Sequence, residues 1–238
     1  MKILAVDTST VSGSVALLDG ETLTAEWTLH SAQTHNRRLL KTVEFLLKEA
    51  GWNLDQVEGF AVTTGPGSFT GLRIGLTTVK TLAWTLKKPF VGISSLDALA
   101  APFGFSSLPV CTLLDARRNE LYCAFHLPAG KGGVRRVGAC ETISPERVPE
   151  RILEPTVFCG DGWLLAGDFL REKLGDLAIG TPGIYHVIRA SVVGEIARMR
   201  FLAGESDDPL TAVPLYVRAS EAEVRNLRHA LAAGTVGG

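Results

Sequence analysis

Three aspartates follow segments that have the composition of buried strands. Asp7 ends ILAVD and precedes two hydroxyl residues, Asp115 ends VCTLLD, and Asp161 lies between two glycines. A carboxylate at the carboxyl end of a strand can hold Mg²⁺ through water, while neighbouring hydroxyl and N–H groups bind phosphate. The alternative is that each aspartate only caps its own turn through hydrogen bonds to the backbone.

The residues after these aspartates favour the structural alternative. Hairpins that bind phosphate through their backbone typically carry glycine two residues after the aspartate, so that the ligand can approach. Here Ser9 and Arg117 occupy those positions. We therefore interpret Asp7, Ser9, Asp115 and Asp161 as a vestigial nucleotide cleft.

The segment 63–75, TTGPGSFTGLRIG, is a second candidate for an anion site. Its glycines miss the dinucleotide spacing G-x-G-x-x-G, and it lacks the Gly-Lys-Ser/Thr ending of a P-loop. It leads into a predicted helix whose N-terminal N–H groups would attract an anion, with Thr70 as predicted N-cap. The alternative is that Gly65, Gly67 and Gly71 allow a tight turn and close packing of the helix on a strand.

Other catalytic patterns are missing from the sequence. Its histidines form no His-x-x-x-His or His-Glu-x-x-His pair, and no serine lies in a Gly-x-Ser-x-Gly elbow. The four cysteines include no Cys-x-x-Cys pair, so we expect reduced core thiols. The sequence therefore predicts no metal site, no cofactor and no catalytic residue.

Charge and hydropathy limit the function further. Lys and Arg number 24 and Asp and Glu 25, whereas proteins that bind nucleic acid unaided usually carry a basic surplus. We therefore expect weak or no RNA binding by the chain alone. Apolar runs fall short of the roughly 20 residues of a membrane span, and Asp7 interrupts the first run too early for a signal peptide. These features predict a cytoplasmic protein that does not bind membranes.

The elements that would position these residues alternate in an α/β pattern. Three short β-rich segments separated by turn signals predict an antiparallel meander, and later strands alternate with helices, which implies crossovers and a partly parallel sheet. The strand–Asp–turn–strand pattern of 3–18 returns at 110–126, which predicts an internal duplication. The predicted elements are strands 2–8, 13–19, 23–29, 59–64, 90–93, 134–142 and 156–159, and helices 36–50, 71–86, one after Ser144-Pro145, and 192–202.

Two of these helices differ in their outward sides. Helix 36–50 has one apolar stripe, formed by Leu39, Leu40, Val43, Leu46, Leu47 and Ala50, and leaves Phe45 outside it. Helix 71–86 has a core stripe and an opposite side without charges, formed by Ile74, Thr77, Thr78, Thr81, Trp84 and Thr85. Such a weakly polar side indicates coverage by another helix, either from a partner or from helix 36–50 alone.

Five blocks together resemble the TsaB (YeaZ) family over residues 1 to about 223: ILAVDTS, TTGPGSFTGLRIGL, VGISSLDALA, LLDARRNELY and PLYVRASEAE. The resemblance implies the actin-like ATPase fold, with two similar ribonuclease-H-like lobes. We expect lobes at 1–103 and 104–223, the second smaller, and a tail at 224–238 beyond the family pattern.

The resemblance also implies a function. Family members are non-catalytic scaffold subunits required for threonylcarbamoyl transfer to adenosine 37 of tRNAs that read ANN codons. They bind and activate the catalytic subunit TsaD, help recruit the ATPase TsaE, and meet tRNA through the complex. TsaD carries a His-x-x-x-His metal pair in a stretch similar to VGISSLDAL, where this chain has Ser95 and Leu99, and leucine cannot ligate a metal.

In this family, helices matching 36–50 and 71–86 pair with their counterparts in TsaD, and the same face forms a homodimer in isolation. The glycine loop then mainly aims an interface helix. The alternative is an enzyme in its own right, either a nucleotide hydrolase using Asp7 and Asp115 or a glycoprotease-like peptidase. The expected interface residues are Leu39, Val43, Phe45, Ile74, Thr77, Thr78, Thr81, Trp84 and Thr85.

Overall fold

The computed structural model describes residues 1–31, 38–130 and 132–217. The elements of its first half are β1 (Lys2–Asp7), β2 (Ser12–Asp19), β3 (Thr22–His30), α1 (Leu39–Glu49), β4 (Gly59–Gly65), α2 (Phe69–Leu86), β5 (Phe90–Ser94) and α3 (Ser95–Ala100). The first sheet has the strand order β3-β2-β1-β4-β5, in which β1, β2 and β3 are antiparallel and β1, β4 and β5 are parallel. The predicted meander and crossovers are confirmed.

The second sheet repeats this topology. The elements of this half are β6 (Val110–Arg117), β7 (Glu120–Gly130), β8 (Gly133–Ile143), β9 (Thr156–Cys159), α4 (Asp161–Leu174), β10 (Ala178–Gly180) and α5 (Ala190–Leu202). The strand order is β8-β7-β6-β9-β10, again with a three-stranded antiparallel meander followed by two parallel strands. The predicted duplication into two similar lobes is therefore confirmed.

The apolar core has three parts that follow the two sheets. One face of the first sheet packs against α1 and α2, through residues such as Val6, Leu46 and Val79. Its other face packs against α3, α5 and the second lobe, through Ile3 and Val193 among others. The outer face of the second sheet packs against α4. The two lobes therefore share a core between their sheets.

Helix α5 departs from the predicted domain division. It contacts β1 and β2, so it lies on the first sheet although its sequence position falls within 104–223. The boundary at residue 103 stays a prediction, as does the one at 223. Residues 218–238, which include the predicted tail, and residues 36–37, where helix 36–50 was predicted to begin, lie outside the described residues.

Two predictions about the second half are wrong in detail. The helix expected after Ser144-Pro145 is a pair of 3₁₀ turns, Pro145–Arg147 and Pro149–Arg151, because a proline at 149 removes the i−4 hydrogen bond of an α-helix. Helix α4 begins at Asp161, where the glycines at 160 and 162 predicted only a turn. A Cβ at Gly162 would lie 2.8 Å from the carbonyl carbon of Leu113, so that glycine permits close packing of α4 on β6.

Candidate partner interface and vestigial cleft

The glycine loop seats α2 on the turn that follows β1. The predicted N-cap Thr70 is wrong: Ser68 caps α2, and its Oγ accepts a hydrogen bond from the Gly71 N–H at 3.3 Å. The Ser68 N–H donates to the Ser9 carbonyl at 2.6 Å. Thr8 Oγ1 donates to the Gly71 carbonyl at 2.7 Å. The loop and the start of α2 are therefore hydrogen-bonded directly to the turn that follows Asp7.

The glycines Gly67 and Gly71 allow the loop and the start of α2 to pack closely on that turn. A Cβ at Gly67 would overlap the Ser9 carbonyl oxygen, and one at Gly71 would overlap the Thr8 carbonyl oxygen. One turn further along α2, a Cβ at Gly75 would overlap Thr8 Oγ1. Residues without side chains are thus required wherever the loop and helix cross the turn.

Asp7 is held within its own lobe. The side chain is fully buried, and Oδ1 accepts hydrogen bonds from the Ser9 N–H at 3.1 Å, from Ser9 Oγ at 2.6 Å and from Thr63 Oγ1 at 2.6 Å. A cavity beside it, lined in part by Ser14 and Trp27, measures about 20 Å³. That volume holds about one water, whereas small-molecule sites span roughly 300–1,000 Å³. The geometry fits an aspartate that organises a turn.

Asp115 occupies the matching position in the second sheet and pairs within its own hairpin. Arg117 Nη1 lies 3.1 Å from Asp115 Oδ2, and the Arg117 N–H donates to Oδ1 at 2.7 Å. Arg117 has a positive φ of 65°, as have Arg118 and Asn119, so an arginine adopts a conformation that favours glycine. The positive charge of the Arg117 guanidinium therefore offsets the negative charge of the Asp115 carboxylate, as a bound cation would.

Asp161 connects α4 to this hairpin. Its Oδ1 accepts a hydrogen bond from the Asp115 N–H at 3.0 Å. Burial raises the pKa of Asp161 above its usual value, and the nearby Asp115 charge adds to the rise. The structure thus brings Asp115 and Asp161 together, while Asp7 and Ser9 form a separate group in the first lobe.

Helix α2 leaves most of its predicted interface side uncovered. Thr77, Thr81 and Thr85 are exposed, and Trp84 is 59% exposed. Ile74 and Thr78 are partly buried. The alternative prediction, that α1 alone covers this side, is therefore wrong for the four exposed residues. We call these four residues the α2 outward face.

Helix α1 contributes differently from its prediction. Leu39 and Val43 are 5% and 4% exposed because they pack into the core with α2, so the chain alone does not present them as a surface. Phe45 is 54% exposed, as expected outside the stripe. Leu40, which the periodicity placed in the core stripe, is 57% exposed. Its place at the edge of a wide stripe was the available signal for this additional surface residue.

The positions that correspond to a metal pair in the resemblance lie in α3. Ser95 is completely buried and Leu99 is 2% exposed. The Leu99 side chain points toward the second lobe, where a Cβ on Gly160 would lie 3.2 Å from its Cδ1. Leu99 therefore packs between the lobes.

Within the described ranges, no three His, Cys, Asp or Glu residues converge as metal ligands. In the same part of the chain, no helix is both long and apolar enough to cross a bilayer.

Comparison with known proteins adds family information to this geometry. Residues 29–225 match the family described as TsaD, tRNA N6-adenosine threonylcarbamoyltransferase. The tRNA threonylcarbamoyladenosine biosynthesis protein TsaB of Bacillus subtilis is 30% identical over 228 residues, covering 94% of this chain and 97% of the relative. The Escherichia coli TsaB is 31% identical over 226 residues, covering 92% and 95%.

Solved structures agree with these sequence relatives. YeaZ from Pseudomonas aeruginosa superposes with a TM-score of 0.77 at 30% identity, covering 90% of this chain and 99% of that one. Component A of (R)-2-hydroxyglutaryl-CoA dehydratase from Acidaminococcus fermentans has a TM-score of 0.51 at 10% identity, covering 84% and 98%, which is a likeness of fold alone. This likeness of fold and the duplicated sheets together confirm the actin-like ATPase fold. The chain therefore belongs to the TsaB (YeaZ) family of tRNA threonylcarbamoyladenosine biosynthesis proteins.

Proposed function

We propose that this chain is a non-catalytic scaffold subunit of the machinery that transfers a threonylcarbamoyl group to adenosine 37 of tRNAs reading ANN codons. It binds and activates the catalytic subunit TsaD through α1 and α2, and helps recruit the ATPase TsaE. Contact with tRNA comes through the complex, in the cytoplasm. When TsaD is absent, the same face forms a homodimer.

The observation that carries the proposal is the exposed apolar surface of α1 and α2. Both helices pack on one face of the first sheet and expose Phe45 and Leu40 from α1 and Trp84 from α2. The other three residues of the α2 outward face are threonines, which carry no charge. On α2, a large apolar side chain among uncharged ones is typical of the buried centre of a protein interface, whereas α1 carries the exposed charged residues Lys41, Glu44, Lys48 and Glu49, which are typical of an interface rim.

The state of the acidic residues supports a scaffold over an enzyme. Asp7 accepts hydrogen bonds from Ser9 and Thr63, and Asp115 pairs with Arg117, so both carboxylates already stabilise their own turns. Leu99 offers no lone pair to a metal. A nucleotide hydrolase or peptidase would need a nucleophile, base or metal in one cleft, and these residues do not supply that arrangement.

The interface is tested with a charge on the α2 outward face. Thr81→Arg would bury an unpaired cation in the complex, so we expect calorimetry to show loss of TsaD binding. The free energy of unfolding of the isolated chain should stay unchanged. The matched control is Thr22→Arg, an exposed threonine at the β2–β3 turn, which should bind normally. Unchanged affinity of Thr81→Arg would remove this face from the interface. Phe45→Ala and Trp84→Ala test the same surface by truncation.

The scaffold role is tested by incorporation of labelled threonine into tRNA in the reconstituted pathway, with TsaD and TsaE held fixed. Product should form only when this chain is present, and Asp115→Asn should leave the rate unchanged. If Asp115→Asn abolishes product while the complex still forms, the chain has a catalytic or nucleotide-binding role. Stoichiometric binding of Mg²⁺-ATP by the isolated chain would point the same way.

A further inference from the structure

The segment 206–216, which we call the strap, leaves α5 and first attaches to the edge of the first sheet. The Asp207 N–H donates to the Phe90 carbonyl at 2.7 Å, and Asp207 Oδ2 accepts from the Gly92 N–H at 2.8 Å. Arg200 of α5 binds the same carboxylate at 2.8 Å and the Gly92 carbonyl at 3.1 Å. These bonds satisfy backbone groups of β5 that an edge strand would otherwise expose.

The strap then follows α2 back toward the glycine loop. Lys80 Nζ donates to the Ala212 carbonyl at 3.1 Å. The Leu215 N–H donates to the Thr64 carbonyl at 2.7 Å, at the end of β4. A Cβ at Gly65 would lie 2.8 Å from the Leu215 carbonyl oxygen, so this glycine leaves room for the strap.

One side chain of the strap, Tyr216, contacts two side chains at the start of α2, Phe69 and Arg73. The Tyr216 ring stacks on Phe69 with centroids 5.1 Å apart and an interplanar angle of 29°. The Arg73 guanidinium lies 3.9 Å from the Phe69 ring centroid, and its Nε donates to the Tyr216 hydroxyl at 3.0 Å. Stacking, cation–π and hydrogen-bond contacts thus converge on the helix start.

We propose that the strap is a positioning device for the partner interface, and that Tyr216 is its main positioning residue. Arg73 and Lys80 are seven residues apart on one side of α2, so the strap ties the helix at two turns while the α2 outward face remains free. At its other end the strap is joined through Arg200 to α5, which packs on the opposite face of the same sheet. This inference rests on the proposed function.

Such a device would act by lowering the entropy lost on binding. An interface helix that is already fixed in its bound orientation forms the complex without a further ordering cost. The glycine loop alone leaves the first turn of α2 attached on its inner side, where Gly71 meets Thr8. The strap adds an attachment on the outer flank through Arg73. The strap therefore matters for partner affinity more than for the sheet core.

The test compares two tyrosines in similar settings. Tyr216 and Tyr185 are each 37% exposed, and each packs on a phenylalanine, with Tyr185 lying 5.2 Å from Phe103 in centroid distance. We expect Tyr216→Ala to raise the dissociation constant for TsaD about tenfold and to accelerate amide exchange in the first two turns of α2 about tenfold. Tyr185→Ala should do neither, and Tyr216→Phe, which keeps the stack, should restore most of the affinity.

Each outcome separates the strap from the scaffold role. If wild-type protein fails to bind TsaD, the proposed function is wrong, and the exchange measurement on the free chain still tests the strap. Unchanged exchange in α2 of Tyr216→Ala would overturn the inference, even with weaker binding, because Tyr216 would then contact the partner directly. Equal loss of affinity in Tyr185→Ala would also overturn it, since the effect would be one of general stability.

Discussion

A single methyl group added to α2 tests whether Thr8 holds that helix in place. In Gly75→Ala, the new Cβ would overlap Thr8 Oγ1, whereas the next atoms, Thr8 Cβ and Val62 Cγ2, lie at ordinary contact distances of 3.4 and 3.5 Å. The clash is therefore confined to one oxygen. Thr8 is 2% exposed and its hydroxyl donates to the Gly71 carbonyl, so it cannot turn away without losing a buried hydrogen bond.

The expected magnitudes follow from this geometry. Inserting a methyl group into a packed core costs about 1–3 kcal/mol, and alanine in a helix interior gains about 1 kcal/mol over glycine. Gly75→Ala should therefore destabilise the wild-type chain by about 1 kcal/mol. In a Thr8→Ala background the oxygen is absent, so the same substitution should stabilise the chain by about 1 kcal/mol. The coupling between the two positions is then about 2 kcal/mol.

The assay is urea unfolding of wild type, both single variants and the double variant, with unfolding free energies compared at equal m-values. The sign reversal between backgrounds is the decisive result. If Gly75→Ala changes the free energy of unfolding equally in both backgrounds, Thr8 does not determine the position of α2. The contact of the glycines with the turn would then not be what seats α2.

Three further predictions concern local physical chemistry. Lys87 ends α2 with φ 54°, so Lys87→Gly should raise the unfolding free energy by about 0.5–1 kcal/mol in urea titrations, whereas Lys88→Gly should not. Because burial raises the pKa of Asp161, the native state binds its proton more tightly, and stability falls as pH rises from about 3.8. The Tm advantage of Asp161→Asn should therefore widen from pH 4 to 7; a constant difference would contradict this. Burial raises the pKa of Cys140 to about 12, so this partly exposed thiol should label slowly at pH 8, and the three buried cysteines only on unfolding.

Much of the fold could be predicted because its signals are local. Strands such as Thr156–Cys159 were bounded to the residue, since β-branched and apolar runs ended at prolines or glycines. The repeated strand–Asp–turn–strand pattern predicted the duplicated sheets. Helix α4 was missed because its glycines lower helix propensity, and the reason for one of them is tertiary: a Cβ added to Gly162 would lie 2.8 Å from the carbonyl carbon of Leu113 in β6.

The site was less predictable because exposure depends on neighbours. Helical periodicity places Leu40 with Leu39 in one stripe, yet the structure exposes the first and buries the second. The strap joins Tyr216 to Arg73 across 143 positions in sequence, a contact that no local pattern encodes. Similarly, the positive φ of Arg117 runs against residue preference, so the sequence indicated only that glycine was missing.

In the two lobes, the turn after the strand-end aspartate is stabilised by different contacts. In the first, the backbone of the glycine loop binds the turn after Asp7, with the Ser68 N–H on the Ser9 carbonyl. In the second, the Arg117 guanidinium pairs with Asp115. Each strand-end carboxylate thus organises its own turn. In the first lobe this turn also supports α2, so the edge of the sheet that would face a phosphate instead fixes the helix proposed to meet a partner. A substitution that loosens this turn should therefore weaken partner binding, although it removes no catalytic group.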